Sequence, residues 1–124
     1  METVPRMELE DARDHSRFAP GGRTTAQQAG ELITAAVAAA REQGKRRLLI
    51  DLRALQVTEG QTWLHYYDLG ESIARAGRGV KVALVMDAAD LSMHKFTLLV
   101  ATNRGLIGAA FLTDAAAVAW LLSD

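Results

Sequence analysis

The sequence predicts an α/β domain, and three observations predict it. Short apolar runs that end on a carboxylate or an aromatic occur at Leu48–Leu52, Val80–Met86 and Leu106–Leu112. Stretches with apolar residues at three- and four-residue steps separate them. Glycine-bearing breaks mark the junctions. Runs of this length read as strands and the stretches between them as amphipathic helices. That alternation places parallel strands, joined by helical crossovers, in the second half of the chain.

The central run is Arg46-Arg47-Leu48-Leu49-Ile50-Asp51-Leu52-Arg53, with Gly44 before it and Gly60 after. It is continuously apolar rather than alternating, as expected of a strand covered on both faces. Residues 1–20 carry the weakest pattern. Met7 and Leu9 alternate with Arg6, Glu8 and Glu10, which suggests a half-exposed edge strand. Asp11 to Asp14 turn the chain, and His15 to Ala19, centred on Phe18, pair back to complete an N-terminal antiparallel hairpin. Pro20-Gly21-Gly22 end it.

Thr24 and Gln27 have capping-box spacing and open a helix. Its stripe is Ala29, Leu32, Ile33, Ala36, Val37 and Ala40, small enough to lie close to a sheet, and Gly44 stops it. After the central strand, Arg53 to Gly60 read as a loop. Thr58 and Gln61 repeat the capping-box spacing and open a second helix that runs to about Ala76, with the stripe Trp63, Tyr66, Gly70, Ile73 and Ala74 and with Tyr67 off it. Gly77-Arg78-Gly79 break that helix before the strand Val80–Met86. Asp90 caps the helix Leu91–Asn103, which is apolar around much of its circumference. Asn103-Arg104-Gly105 lead into the strand Leu106–Leu112, and Thr113-Asp114 cap a last helix carrying Ala117, Trp120 and Leu121. About four helices result.

Composition narrows the function. The chain has 124 residues, which predicts a single domain, 1–124, with residues 1–20 as uncertain N-terminal strands. Its net charge of −1 leaves no basic footprint for nucleic acid. No cysteine is present, which removes disulfides, thiolate metal sites and cysteine nucleophiles. No apolar run reaches membrane-spanning length, and the charged N-terminus has no signal-peptide core, so the expectation is a soluble cytoplasmic protein without membrane insertion.

The candidate chemistry is sparse. Asp51 and Asp87 end two strands, where ligands of open α/β sheets bind, and a carboxylate pair there suits Mg²⁺ or acid–base chemistry. The preferred reading is that each accepts loop amides or caps a turn, because no third ligand is apparent. His15, His65 and His94 are scattered, without metal-ligand spacing, and read as surface or half-buried residues. No nucleophile signature occurs. Gly77 to Gly79 close a helix instead of opening one, so they form no phosphate loop. No metal and no cofactor is predicted. Thr58, with Gln61 three residues on, reads as a helix cap. Trp63, Tyr66 and Tyr67 cannot all face one core, so some of them face solvent, a partner or a pocket. Arg104 is placed to bond the last carbonyls of the helix before it.

With these residues in hand, the chain resembles the STAS superfamily, in its SpoIIAA-like branch. The strand Leu48-Leu49-Ile50-Asp51-Leu52, the Asn103-Arg104-Gly105 turn before a strand ending near Phe111, and Ala119-Trp120-Leu121 in the last helix carry the likeness, over roughly residues 22–124. The resemblance implies a small mixed sheet with an antiparallel N-terminal strand and helices mainly on one side. It implies regulatory protein–protein interaction in some relatives, ligand sensing in others and lipid binding in the related Sec14-like group. It also allows Arg104 to orient the loop near Asp87. Relatives are switched by phosphorylating a serine, usually in Asp-Ser, after the central strand. Here the loop Leu55–Thr62 has no serine, Glu59-Gly60 stands in that place, and Thr58 is the nearest hydroxyl to the position the resemblance implies, read as a cap in preference to a phosphorylation site. A glutamate supplies a fixed charge and no switch.

Three readings follow. The first is a non-catalytic regulatory or interaction module, a homodimer, with Trp63, Tyr66, Tyr67 and Phe96 as the ligand or partner surface. The second is a carrier or sensor of a small apolar, lipid-like ligand held between the aromatic helix and Leu91–Asn103. The third is an enzyme using Asp51 and Asp87. A closed apolar cavity beneath Tyr66 and Phe96 would favour the carrier, and a filled core under an exposed aromatic patch the interaction module.

Overall fold

The computed structural model describes residues Glu8 to Ser123. Seven strands and four helices occur among them: β1 Glu10–Asp11, β2 Ser16–Phe18, β3 Gly22–Thr24, α1 Ala26–Glu42, β4 Arg47–Asp51, β5 Leu55–Val57, α2 Trp63–Ala76, β6 Lys81–Val85, α3 Leu91–Thr102, β7 Ile107–Phe111 and α4 Asp114–Leu121. The alternating residues Arg6 and Met7 lie outside the described residues, and Leu9 precedes the first strand.

The main sheet has the order β1-β2-β4-β6-β7. β1 and β2 form the antiparallel hairpin, and the other pairs are parallel. β4 is the inner rung: Leu48 pairs with Ser16 on one side and Val82 on the other. Side chains alternate across a strand, so the apolar run divides between two faces. Leu48, Ile50, Val82 and Leu84 join Ile33, Val37, Ile73 and Leu98 in a large core under α1, α2 and α3. Leu49, Ala83 and Val85 meet Ala117 and Leu121 of α4 in a smaller one. Three helices thus cover one face and a single two-turn helix the other.

α4 is also pinned by charge. The Lys81 ammonium donates to the carbonyls of Trp120 at 2.6 Å and Ser123 at 2.8 Å and lies 4.5 Å from the Trp120 ring. A cation at a helix C-terminus meets both the free carbonyls and the negative end of the dipole. α2 and α3 pack closely at Gly70, where a Cβ would lie 2.6 Å from the Thr97 carbonyl oxygen and 2.8 Å from the Val100 Cβ. Beside that crossing the buried Thr97 hydroxyl donates to the Tyr66 carbonyl at 3.1 Å.

Several expectations are corrected. The α1 capping box is Thr25 with Gln28, one residue later than the spacing of Thr24 and Gln27 suggested. Thr58 caps nothing. Its backbone N–H donates to the Thr24 carbonyl at 2.8 Å and its hydroxyl to the same oxygen at 3.2 Å. The N-cap of α2 is Thr62, whose side chain accepts from the His65 N–H at 3.1 Å. Asp90 occupies the cap position of α3 without a side-chain bond, because a 3₁₀ turn over Ala88–Asp90 leads into the helix. The stretch read as a loop after β4 contains β5, which pairs in parallel with β3 as a separate two-stranded flap.

Candidate functional site

Four features fall within reach of the predicted site residues. The first lies at the carboxyl end of β4. Asp51 accepts from Arg53 through its backbone N–H at 3.1 Å, Nε at 2.9 Å and Nη2 at 2.8 Å, and from Arg17 Nη2 at 2.8 Å. Asp114, at the start of α4, accepts from the same two guanidinium groups at 2.9 and 3.0 Å. Two carboxylates and two guanidiniums close a neutral ring of charge-assisted bonds. The hydrogen bonds from Arg53 hold the Asp51 carboxyl down at about 2, against its burial. Asp51 is therefore a carboxylate with its lone pairs committed, tying β2, β4 and α4 together. Asp87 stands in the loop after β6, exposed, and its side chain makes no cap bond to the turn it precedes. Among the described residues no group of three metal-ligating side chains converges.

The second feature is the segment of Thr58 and Glu59. It is stitched to β3 and α1: besides the Thr58 bonds, the Glu59 carbonyl accepts from the Ala26 N–H at 2.8 Å. Both residues are exposed on the flap.

The third is the ridge of α2 and α3. Trp63 does not enter the core. It is 55% exposed and stands edge-on against Phe96, ring centroids 5.0 Å apart. Leu64 of α2 at 70% and Leu99 of α3 at 58% are also open. Tyr67, one turn on from Trp63, is half exposed and its hydroxyl accepts from Arg104 Nη2 at 2.8 Å. Arg104 also pairs with Glu71 at 3.1 Å and reaches the Val100 carbonyl at 3.4 Å. It thus bonds a carbonyl of the last turn of α3, and it stands at the opposite end of that helix from Asp87, so it does not orient the Asp87 loop. Tyr66 departs from the ridge: it is buried, facing the core.

The fourth is a cavity of about 60 Å³ beneath Tyr66, bounded by α1, β5, α2 and the start of α3. Leu52 and Met86, just past the ends of β4 and β6, line it, as do His65 and His94. Phe96 does not. His94 is 8% exposed and its Nδ1 is buried without a hydrogen-bond partner. Burial pushes the His94 imidazole down to about 4, with Asp90 opposing and His65 assisting. The expectation of a surface or half-buried histidine is thereby corrected.

Sequence reasoning missed Arg17, Asp114 and His94. Arg53 carried a signal, two residues beyond Asp51 in the position where a turn closes on its own carboxylate. Arg17 is brought to Asp51 across 34 residues and Asp114 to Arg53 across 61, which no local pattern encodes. The burial of His94 follows from the close approach of α2 and α3 at Gly70.

Among the described residues no helix is long and apolar enough to cross a membrane. No family model matches the chain, and neither a curated protein nor a solved structure matches it.

Proposed function

We propose that the protein is a non-catalytic regulatory or interaction module of the STAS or SpoIIAA-like kind, without the usual phosphorylatable serine, acting in the cytoplasm through the α2–α3 ridge. One observation carries the reading: Trp63 stands outside the core, braced by Phe96, with Leu64, Tyr67 and Leu99 also exposed on the same two helices. Grouped exposed apolar side chains with an aromatic centre are the make-up of a protein interface. The partner that fits is a second copy. Glu71 and Arg104 neutralise each other at 3.1 Å beside these side chains, so the apolar area carries little net charge against the pairing of two copies about a two-fold axis.

Catalysis has little support beside this, because the Asp51 lone pairs are taken by Arg17 and Arg53. A lipid-like carrier is the weaker proposal for a different reason: a cavity of about 60 Å³ that Phe96 does not line has no room for an acyl chain.

Sedimentation equilibrium at micromolar concentration tests the reading. A dimer mass is expected, with Trp63→Ser and Leu99→Ser each weakening self-association by roughly tenfold or more. A monomer across that range removes the homodimer. A dimer that both substitutions leave intact removes this ridge as its interface.

A further inference from the structure

The net charge of −1 conceals a segregation of charge at the amino ends of the strands. The turns that lead into β4 and β6 meet there, tied by the Lys81 N–H, which donates to the Arg46 carbonyl at 2.8 Å. Between them lies a groove of about 520 Å³ walled by Arg41, Lys45, Arg46 and Arg78. It shares Lys45 and Arg46 with a second groove that reaches Arg47 and the start of β2, and Arg78 with a third that reaches Arg75 and Arg104. Sharing walls, the three make one band across that end of the sheet.

Two cations of the band are neutralised, Lys45 by Asp11 at 2.9 Å and Arg104 by Glu71 at 3.1 Å. The others are not. Arg41, Arg46, Arg47, Arg75 and Arg78 are exposed and make no ion pair or side-chain hydrogen bond among the described residues. Asp14 on the wall and Glu42 beside Arg41 in the chain are too few to offset them. Arg41 and Arg75 stand in the last turns of α1 and α2, where the helix dipole favours a cation. Arg46, Arg47 and Arg78 lie outside every helix, so the dipoles leave them unexplained. Like charges gathered this way repel, a cost that an anionic partner reverses.

The shape of the band narrows the partner. From β2 through β4 to β6 it crosses two strand spacings, roughly 10 Å, the reach of about three residues of extended chain and more than one phosphate spans. No Trp, Tyr or Phe lines it, whereas grooves for single-stranded nucleic acid combine their cations with aromatic platforms. We propose that this band docks an extended acidic segment of a partner protein, its carboxylates set against the unpaired arginines. The planar guanidinium meets a carboxylate with two parallel N–H donors, which suits arginine to this task. None of Trp63, Leu64, Tyr67 and Leu99 lines the band, so this docking goes beyond self-association and does not depend on it.

The test titrates labelled hexaglutamate with the full chain, followed by fluorescence anisotropy. Saturable binding is expected in about 50 mM salt, weaker by roughly threefold or more in about 200 mM because exposed charges are screened. Arg46→Glu combined with Arg78→Glu weakens it by roughly tenfold or more, and Trp63→Ser leaves it unchanged. Should the charge-reversed chain melt early, Arg46→Gln combined with Arg78→Gln carries the same expectation at roughly threefold. Absence of saturation at the lower salt, or an affinity indifferent to these substitutions, overturns the proposal. So does weakening by Trp63→Ser, which moves the peptide to the ridge. Tighter binding of an oligothymidylate of equal charge, or of phosphatidylserine vesicles, also overturns it and gives the band to nucleic acid or to a membrane surface.

Discussion

His94 contributes to the pH response of the native state. Its pKa is depressed from 6.5 to about 4 by burial, so in the unfolded chain it takes up a proton at a pH where the folded chain refuses one. Its contribution to stability is complete above the unfolded value and is lost as pH falls through about 4. At 1.36 kcal/mol per unit the loss is roughly 3 kcal/mol across that window. Chemical denaturation at neutral pH and at pH near 4.5 checks this: the native chain loses stability between the two, and His94→Phe loses markedly less. Asp51 acts in a lower window, because the guanidinium of Arg53 keeps it ionised down to about 2. These two residues also show what was legible at this scale. Asp51 was marked by its place at the end of an apolar run, and its role as an acceptor of loop amides is visible in the Arg53 N–H bond. His94 carried no mark, since one histidine in a helical pattern looks the same whether the helix is half-buried or pressed into its neighbour.

At the scale of elements, the tightest constraint is the α2–α3 crossing. Gly70 leaves no space for a methyl group, and backbone on one side and a β-branched residue on the other cannot yield far. Gly70→Ala gains helix propensity and still destabilises, by roughly 2 kcal/mol or more, because overpacking outweighs the gain. Urea unfolding with an unchanged m-value would record it as a loss of stability alone. Helices and core strands were legible in the chain because their periodicities run for many residues. Ile33, Ala36, Val37 and Ala40 mark α1, and Ile73 and Ala74 mark the end of α2, and all are buried. The caps slipped because threonines crowd each boundary. Thr24 stands beside Thr25, and Thr58 stands four residues before Thr62, so composition alone offers more than one starting point. The flap strands β3 and β5 escaped because three residues are too few to display a period, and their pairing joins segments more than thirty residues apart.

At the scale of the whole molecule, the mixed sheet, its N-terminal hairpin and the parallel remainder follow from the order of elements, and that order was readable in the sequence. The outward turn of Trp63 was not. An apolar stripe tells which residues avoid water, but two helices packed side by side decide which of them find cover, and here α3 claims Tyr66 and leaves Trp63 to Phe96.

The unequal cladding of the sheet has a dynamic consequence. The larger core includes no residue of α4, whereas α4 rests on the smaller core, the ring of Asp51, Asp114, Arg17 and Arg53, and the grip of Lys81. Local openings follow the boundaries of such semi-independent parts. Deuterium should therefore enter residues 114–121 ahead of the amides of β4, and Lys81→Met should hasten that uptake while leaving the inner strands as slow as before. Equal rates in both segments would show that the last helix and the sheet breathe as one body.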